Sequence, residues 1–338
     1  MQILNQYVFY EDKILKINIF KEFFMKKSKK TAIFAAFAVL ACTTVHAANP
    51  DELLLQAVRE QNSNMLKETM KQNANLNYMD SEDKTVLMYA CERQWYEGVK
   101  LLLEGGANAS FKNNYNQTAL MFAVKNCDND TILKMLVDRN ANINDYDERE
   151  KTVLMYAIEN KSSVPLSYLL KNGANINKTD IDGYDAFMWA VKNKNHDAAQ
   201  RIFSSSSSIN WNQCDMNGSN AFMLACESGD LFLVRMMLTG NNAFDLEWKS
   251  RNNGQPILIW LIAKRKSNEI IKYIMEFCNP KESILYMVDD FGNDVEYYAN
   301  MTNNDFVLDK LEEIERNMQN AKQKQEEKRA RNAKERNR

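Results

Sequence analysis

The hexapeptide Thr85-Val-Leu-Met-Tyr-Ala90 returns along the chain at a nearly constant interval. Its copies are Thr118-Ala-Leu-Met-Phe-Ala123, Thr152-Val-Leu-Met-Tyr-Ala157, Asp185-Ala-Phe-Met-Trp-Ala190 and Asn220-Ala-Phe-Met-Leu-Ala225, which begin 33, 34, 33 and 35 residues apart. Weaker copies begin at Gln255 and Asp294. Each clear copy opens with Thr, Asp or Asn, whose side-chain oxygen accepts the unpaired N–H groups of a helix's first turn. The pattern therefore predicts one short helix in every period of about 34 residues.

A second marker keeps the same interval and predicts a second helix in each period. The markers are Asn73, Gly106, Asn140, Gly173, Ser206 and Asn241, which lie 33, 34, 33, 33 and 35 residues apart. Apolar residues precede each marker with the three- and four-residue spacing of one helix face. The marker then lies just beyond the helix end, where φ turns positive and Gly is best and Asn next. The chain's 41 Asn fit frequent left-handed turns, whereas the helix end at Ser206 is expected to fray.

These motifs resemble the ankyrin repeat over most of the chain. The resemblance rests on Thr-x-Leu-x-x-Ala, a second apolar-periodic helix, Gly-Ala-x-x-Asn, and connectors such as Asp180-Ile-Asp-Gly183. It implies an all-α fold, an ankyrin-repeat solenoid of about seven to eight helix-turn-helix units with short hairpin-like connectors. The family usually has His in the first helix, so its Thr–His hydrogen bond is absent here and a looser array is expected. The residues at that position are Met88, Met121, Met155, Met188 and Met223.

The two markers also divide the chain. We expect an ankyrin-repeat domain at 50–318, with units at about 51–79, 80–112, 113–146, 147–179, 180–214, 215–249, 250–288 and 289–318, the first of them incomplete. Neither helix of a unit, at roughly two to three turns, buries enough surface by itself, so neighbouring units must stack. After this domain comes a charged basic tail at 319–338, expected to be helical or disordered.

In the family that the chain resembles, the connectors project as fingers and, with the first helices, line a concave protein-binding surface. Carried over by position, that surface holds Glu82, Lys84, Arg93, Tyr115, Gln117, Lys125, Arg149, Lys151, Ile181, Tyr184, Lys192 and Met216. Four of these are expected to be exposed at finger tips and to anchor a partner, namely Tyr115, Ile181, Tyr184 and Met216. The alternative is that they are ordinary single exposed apolar residues.

One position places a line of large side chains along the array. This ladder consists of Tyr89, Phe122, Tyr156, Trp189 and Leu224. A platform for stacked bases or for a bound peptide is one interpretation. Core packing against the next unit is the other, and the resemblance to ankyrin repeats favours it.

Motifs of catalysis and of cofactor binding are absent from the sequence. There is no GxxxxGKS/T, GxGxxG, HExxH or GxSxG motif, and His46 and His196 are the only imidazoles. His196 follows Lys192-Asn-Lys-Asn195 in a turn between helices and is expected to be exposed. No CxxC motif occurs, so no zinc site is predicted. We expect no enzyme activity, no cofactor and no metal.

Residues 25–47 have the pattern of an export signal, MKKSKKTAIFAAFAVLACTTVHA. Four Lys precede an apolar stretch too short to cross a bilayer, and the small-residue cleavage site ends at Ala47, before Ala48. A short anchor or a buried helix is the alternative interpretation. Val39-Leu40-Ala41-Cys42 also resembles a lipoprotein processing site, at which Cys42 would be lipidated. Residues 1–24 are expected to precede the true start at Met25.

Charge divides the chain into an acidic body and a basic tail. Residues 48–321 hold 28 Lys or Arg and 39 Asp or Glu, whereas residues 322–338 hold eight and three. An acidic body argues against nucleic acid as the main ligand. The tail is expected to be solvated, with contact to an acidic membrane surface as the alternative. The five Cys after Cys42 are odd in number and widely spaced, so buried thiols are expected rather than disulfides.

From these features we expect a monomeric, exported, non-catalytic scaffold of a bacterial cell envelope or periplasm that binds a protein through its concave face. The second hypothesis is an envelope structural protein or lipoprotein, held at a membrane by Cys42 or by the tail. A secreted effector is the third. The sequence does not identify the partner.

Overall fold

A computed structural model describes residues 49–127, 130–205, 209–239, 254–277 and 281–336. Within these ranges the chain has sixteen α-helices, two short 3-10 helices at Val124–Asn126 and Lys281–Tyr286, and no β-strand. The α-helices are Pro50–Arg59, Ser63–Met70, Val86–Glu92, Tyr96–Glu104, Ala119–Ala123, Thr131–Asp138, Val153–Glu159, Ser163–Lys171, Ala186–Lys192, His196–Ser205, Ala221–Glu227, Leu231–Thr239, Ile257–Ala263, Asn268–Phe277, Val295–Thr302 and Asp305–Arg336. Successive first helices contact each other from Pro50–Arg59 to Ala221–Glu227, and Ile257–Ala263 contacts Val295–Thr302. Successive second helices contact each other from Ser63–Met70 to Thr131–Asp138 and from Ser163–Lys171 to Asn268–Phe277. The predicted all-α solenoid is confirmed.

In five units the first helix begins where the sequence predicts because its opening residue caps it, whereas the predicted cap Thr118 makes no side-chain bond to its helix. The side-chain oxygen accepts the backbone N–H three residues later, at 2.8–3.3 Å, in the helices opened by Thr85, Thr152, Asp185, Asn220 and Asp294. In two units the sulfur of the methionine three residues later also accepts the backbone N–H of the capping residue. The Thr85 N–H donates to Met88 Sδ at 3.4 Å, and Thr152 N–H makes the same contact with Met155 Sδ at 3.4 Å. A weak N–H···S bond thus forms at the position where the family usually has His.

Residues with positive φ recur at three places in the repeat. The markers behave as predicted, with φ of 57°, 95°, 65° and 82° at Asn73, Gly106, Asn140 and Gly173; Ser206 and Asn241 lie outside the described residues. A second left-handed residue joins the two helices of a unit, as at Gln94, and a third lies in the connector, as at Glu150. Left-handed backbone costs a residue other than Gly roughly 1 kcal/mol, so packing must offset it in every unit.

Asparagine has a second role that the sequence pattern did not indicate. Among the described residues only four Asn have positive φ, namely Asn73, Asn116, Asn140 and Asn303. Others form a staircase in the segment after each second helix, where each side-chain oxygen accepts a backbone N–H of its own unit or of the next one. Asn77 accepts from Asn108 at 3.1 Å, and Asn144 accepts from Asn175 at 2.8 Å, each across a unit boundary. The staircase consists of Asn75, Asn77, Asn108, Asn142, Asn144, Asn175, Asn177 and Asn210.

Stacking of the units buries one continuous apolar core. In the five clear hexapeptides the residues at the Leu87 and Met88 positions are at most 2% exposed. Cys91, Cys127, Cys214 and Cys226 are buried thiols, as predicted, and burial raises the pKa of Cys91 and Cys226. Because each unit packs between two neighbours, a central unit has no apolar face left for solvent.

The array ends in a 32-residue helix, Asp305–Arg336, about 48 Å long. Its first half packs on the last unit through Val307, Leu311 and Ile314, which are at most 9% exposed. From Gln319 onward every side chain that is described is exposed. The basic tail is therefore helical as far as Arg336.

The predicted export signal lies outside the described residues, together with residues 1–24, the cleavage site at Ala47 and Ala48, and Cys42. In the part of the chain that is described, none of the helices combines the length and the apolar character that crossing a lipid bilayer requires.

One cap carries a pH-dependent cost. Asp185 is 2% exposed, and this burial raises its pKa to about 6, since the N–H of Met188 offsets the loss of water only in part. The folded state therefore holds the proton more tightly than the unfolded chain does, and stability falls as pH rises from about 4 to about 6. Thr at this position is expected to raise the free energy of unfolding by about 1–2 kcal/mol at about pH 7.5.

The measurement is urea denaturation of the Asp185→Thr variant and of the unmodified chain, at about pH 4 and at about pH 7.5. Thr85 and Thr152 supply the same cap in other units, so the variant keeps its bond to Met188. The gain should be much smaller near pH 4, where the folded state keeps Asp185 protonated and the side chain is only partly ionised in the unfolded chain. A gain that is equal at both pH values would contradict the argument.

Candidate functional site

Each connector is organised by one side chain at its start, which we call the anchor residue. Its Oδ1 accepts the backbone N–H groups two and four residues later, at 2.7–3.2 Å. The anchor residues are Asp80, Asn113, Asp147, Asp180, Asp215 and Asp289. Two backbone N–H groups of each finger are therefore held by hydrogen bonds within the chain itself.

The second carboxylate oxygen of four anchor residues binds the aromatic residue nine positions later. Tyr89 donates to Asp80 at 2.7 Å, and Tyr156 to Asp147 at 2.7 Å. The same spacing joins Trp189 Nε1 to Asp180 at 2.8 Å and Tyr298 to Asp289 at 2.7 Å. These Asp–aromatic pairs tie each finger to its own first helix.

The Asp–aromatic pairs also decide between the two interpretations of the ladder. Tyr89, Phe122 and Tyr156 are at most 7% exposed, so they belong to the core and not to an open stacking platform. Burial, with the bond to Asp80, raises the pKa of Tyr89 to about 12. Burial opposes ionisation of Asp80 as well, but bonds from Tyr89 and two backbone N–H groups outweigh it, and the pKa of Asp80 is lowered. The Tyr89–Asp80 pair is therefore neutral phenol with carboxylate at physiological pH.

Tyr184 was expected at an exposed finger tip, and this prediction is wrong. Its side chain is 9% exposed, because its hydroxyl donates to Asp215 Oδ2 at 3.0 Å in the next connector. The residue nine positions after Asp215 is Leu224, which has no donor. Tyr184 supplies the missing bond from the preceding unit, and burial with this bond raises its pKa to about 12.

Neighbouring fingers are joined by single backbone hydrogen bonds. The N–H of Glu148 donates to the carbonyl of Tyr115 at 2.9 Å, and that of Ile181 to Arg149 at 3.0 Å. The N–H of Met216 donates to the carbonyl of Asp182, in the preceding connector, at 2.9 Å. Three apolar side chains stand exposed along this line, 47%, 48% and 78% respectively; we call Tyr115, Ile181 and Met216 the finger-tip row.

Four lysines lie across the ladder, and we call them the lysine row. Each ammonium lies 3.9–5.6 Å from the centroids of two aromatic rings, within cation–π distance. The row consists of Lys84, Lys125, Lys151 and Lys192, and the rings are Tyr89, Phe122, Tyr156, Tyr184 and Trp189. The sequence pattern predicted these lysines for the surface but not their stacking on the ladder.

The lysine row alternates between paired and unpaired members. Lys84 binds Glu92 at 2.9 Å, and Lys151 binds Glu159 at 2.5 Å. In the described part of the chain, no carboxylate lies within 4.0 Å of the ammonium of Lys125 or Lys192. The alternation follows from the sequence, since the position of Glu92 and Glu159 is Lys in the intervening units.

The remaining predicted surface residues have structural contacts of their own. Gln117 donates from Nε2 to Tyr156 OH at 3.2 Å, and Arg93 donates to the carbonyl of Arg59 at 3.2 Å. Glu82 is exposed, 3.9 Å from Lys84, and Arg149 lies 3.4 Å from Asp182. These contacts hold the fingers and the first helices in one register.

His196 begins a helix and is half exposed, with Nε2 2.6 Å from Asp230 Oδ2. Among the described residues, no group of three or more His, Cys, Asp or Glu side chains is placed to hold a metal ion.

Comparison with known proteins accords with this architecture. A family model described as Ankyrin repeats (3 copies) matches residues 54–147, 142–213 and 187–284, which is more than half of the chain.

Two curated relatives are both viral. An ankyrin repeat protein of Acanthamoeba polyphaga mimivirus is 45% identical over 53 residues, or 15% of this chain and 13% of the relative. One of Fowlpox virus (strain NVSL) is 37% identical over 82 residues, or 24% of this chain and 14% of the relative. The chain thus spans about one seventh of the length of these relatives. The family match, with the repeated capped helices and fingers, shows that the chain belongs to the ankyrin repeat family, whose repeats generally mediate protein–protein interaction and are generally non-catalytic.

Proposed function

We propose that this chain is a non-catalytic scaffold that binds a protein partner through the concave face of its array. The observation that carries the proposal is the finger-tip row. Tyr115, Ile181 and Met216 leave large apolar surface in water on tips that backbone hydrogen bonds hold in place. Rigid exposed apolar anchors bind at low entropic cost, because little ordering remains to be done on contact.

Replacement of the finger-tip row by serine should weaken partner capture at least about tenfold, since each anchor truncation costs about 1 kcal/mol or more. The variant is Tyr115→Ser with Ile181→Ser and Met216→Ser, and the measurement is quantitative pull-down from extract of the source organism. Helix content by circular dichroism should not change, because the three side chains are exposed.

The matched control is Tyr96→Ser with Val164→Ser, two exposed apolar residues in second helices, away from the fingers. It removes exposed apolar area elsewhere on the array and should leave capture intact. Equal loss in both variants, or full capture by the finger-tip variant, would direct the search to another surface.

We propose further that the mature chain is exported to a cell envelope as a monomer. The support is the charged, apolar and small-residue pattern of residues 25–47. N-terminal sequencing of the native protein should find Ala48 first, or a lipid-modified Cys42. An N-terminus at Met1 would contradict export by this signal.

Membrane association is the second candidate function, and the exposed basic helix beyond Gln319 favours it over simple solubility. Lys322, Lys324, Lys328 and Arg329 are exposed there, and each basic residue gains roughly 1 kcal/mol near an anionic lipid surface. Release by salt would indicate the tail, and release by detergent alone would indicate lipid on Cys42. A soluble pool without either treatment supports the scaffold, or a secreted effector if the pool is extracellular.

A further inference from the structure

Among the described residues, Lys125 has no close ion-pair partner of its own. Its side chain is half buried beside Phe122, whose centroid is 4.6 Å from the ammonium, and it lies 5.6 Å from that of Tyr156. Burial is the largest influence on the pKa of Lys125 and lowers it; Lys84 and Lys151 lower it further. Glu92 and Glu159 act in the opposite direction, but each forms its close ion pair with another lysine.

Lys192 repeats this arrangement two units later. It occupies the same place at the end of the first helix, its ammonium lies 3.9 Å from the centroid of Tyr184, and its side chain is exposed. It too has no carboxylate within 4.0 Å among the residues that the structure describes. The concave face therefore presents two cations over aromatic rings, separated by a unit whose cation, Lys151, is already paired with Glu159.

The separation of the two cations sets the scale of a ligand. Helices of neighbouring units pack about 8–10 Å apart, so two units span about 20 Å. An extended peptide advances about 3.3 Å per residue, so about six residues bridge this distance. Carboxylates six residues apart on an extended chain would reach both ammonium groups.

On this basis we propose that the partner presents an extended acidic segment to the concave face, with one carboxylate on Lys125 and a second, about six residues away, on Lys192. The inference rests on the proposed function and names the chemistry of its partner. Lys151 lies between the two contacts and Lys84 lies beyond Lys125; each is already paired with a glutamate and does not bind the segment. A nucleic acid is the less suitable occupant. Glu92 and Glu159 lie in the same row and would repel successive phosphates, and the rings of Tyr89, Phe122 and Tyr156 are buried, so bases could not stack on them.

Synthetic peptides test the proposal directly. Fluorescein-labelled Gly/Ser peptides would carry two Glu residues six positions apart, two Glu three positions apart, or two Gln six positions apart. By fluorescence anisotropy, the six-residue spacing should bind at least about 5-fold more tightly than the other two, because only it satisfies both cations. The affinity should fall as salt rises, since ions screen the contact.

Variants assign the contact to the two cations. Lys125→Gln and Lys192→Gln should each lose the preference for the six-residue spacing, whereas Lys125→Arg should keep it because the charge remains. Lys100→Gln removes an exposed lysine from a second helix and is the matched control, with no expected effect. Lys192 is exposed, so its variant tests the contact even if Lys125→Gln perturbs folding.

Three results would overturn the proposal: no saturable binding of the six-residue peptide, a preference that survives both Gln variants, or tighter Lys125-dependent binding of oligothymidylate. Its failure is separable from that of the proposed function. If the finger-tip variant loses partner capture while the lysine variants retain it, the concave face binds protein without acidic recognition. If all of these variants retain capture, the concave face is not the binding surface.

Discussion

Replacing Asp147 with alanine is expected to lower the free energy of unfolding by about 2–4 kcal/mol, because one buried and two partly buried donors lose their acceptor together. Asp147 is 6% exposed. Its Oδ1 accepts the N–H groups of Arg149 and Lys151, both at 2.9 Å, and its Oδ2 accepts Tyr156 OH at 2.7 Å. Urea denaturation followed by far-UV circular dichroism measures the loss.

A double-mutant cycle separates the finger from the ladder. Tyr156→Phe alone removes the bond to Asp147 and the bond from Gln117, and should cost about 1–2 kcal/mol. In the Asp147→Ala background it should cost less, because the bond to Asp147 is already lost. The chain contains its own precedent, because the preceding unit pairs Asn113 with Phe122 and keeps both backbone bonds without the aromatic one. A loss from Asp147→Ala no larger than that from Tyr156→Phe would show that the finger does not depend on its anchor residue.

Replacing Gly183 with alanine is expected to destabilise the protein by about 2–4 kcal/mol, for two separate reasons. The residue has φ of +86°, which disfavours a Cβ, and an added Cβ would lie 3.0 Å from both Asp215 Cα and the Cys214 carbonyl oxygen. Both contacts are backbone atoms of the next connector, so no side-chain rotation relieves them. The variant should therefore weaken the contact between two units and not only one turn.

Gly292→Ala is the matched control for this prediction. Gly292 occupies the same connector position with φ of +80°, but an added Cβ has no atom within 4 Å. It should cost only the backbone strain, about 1 kcal/mol. Asp83, Asn116 and Glu150 hold this position elsewhere with φ of 56–57°, so a side chain is tolerated where the neighbour leaves room. Equal losses of unfolding free energy in the two variants would show that the close approach of Gly183 to the next connector does not contribute.

Local rules explain why the helices could be predicted. A cap and a left-handed helix end depend on a few consecutive residues, so Thr85 and Asn73 act in the same way wherever the unit lies. The same caps and helix ends recur in every period, so each copy of the motif strengthens the prediction made from the others. The expected loss of the Thr–His bond was also correct, but the sulfur of Met88 as its replacement acceptor was not foreseen.

The candidate site was predicted less well because exposure depends on the neighbouring unit. Tyr115 and Tyr184 look alike in the sequence, as aromatic residues of connectors. Tyr115 is exposed, whereas Tyr184 is buried because the next ladder residue, Leu224, leaves Asp215 without its donor. Asp215 lies 31 residues from Tyr184, so no local sequence pattern shows that Asp215 lacks its donor. The Asp–aromatic spacing of nine residues, in contrast, was visible in the sequence as a recurring pair and could have been found.

The amino-acid sequence by itself determined the two-helix unit, its interval, its caps and its left-handed ends, because these depend on backbone chemistry within a few residues. It also placed the lysines of the row on the first helices and connectors. Only the tertiary structure decided which of them are paired, which tip residues face water, and that asparagine joins units as well as turning the chain. Those outcomes depend on atoms that stacking brings together from different units, about 30 residues or more apart in the chain.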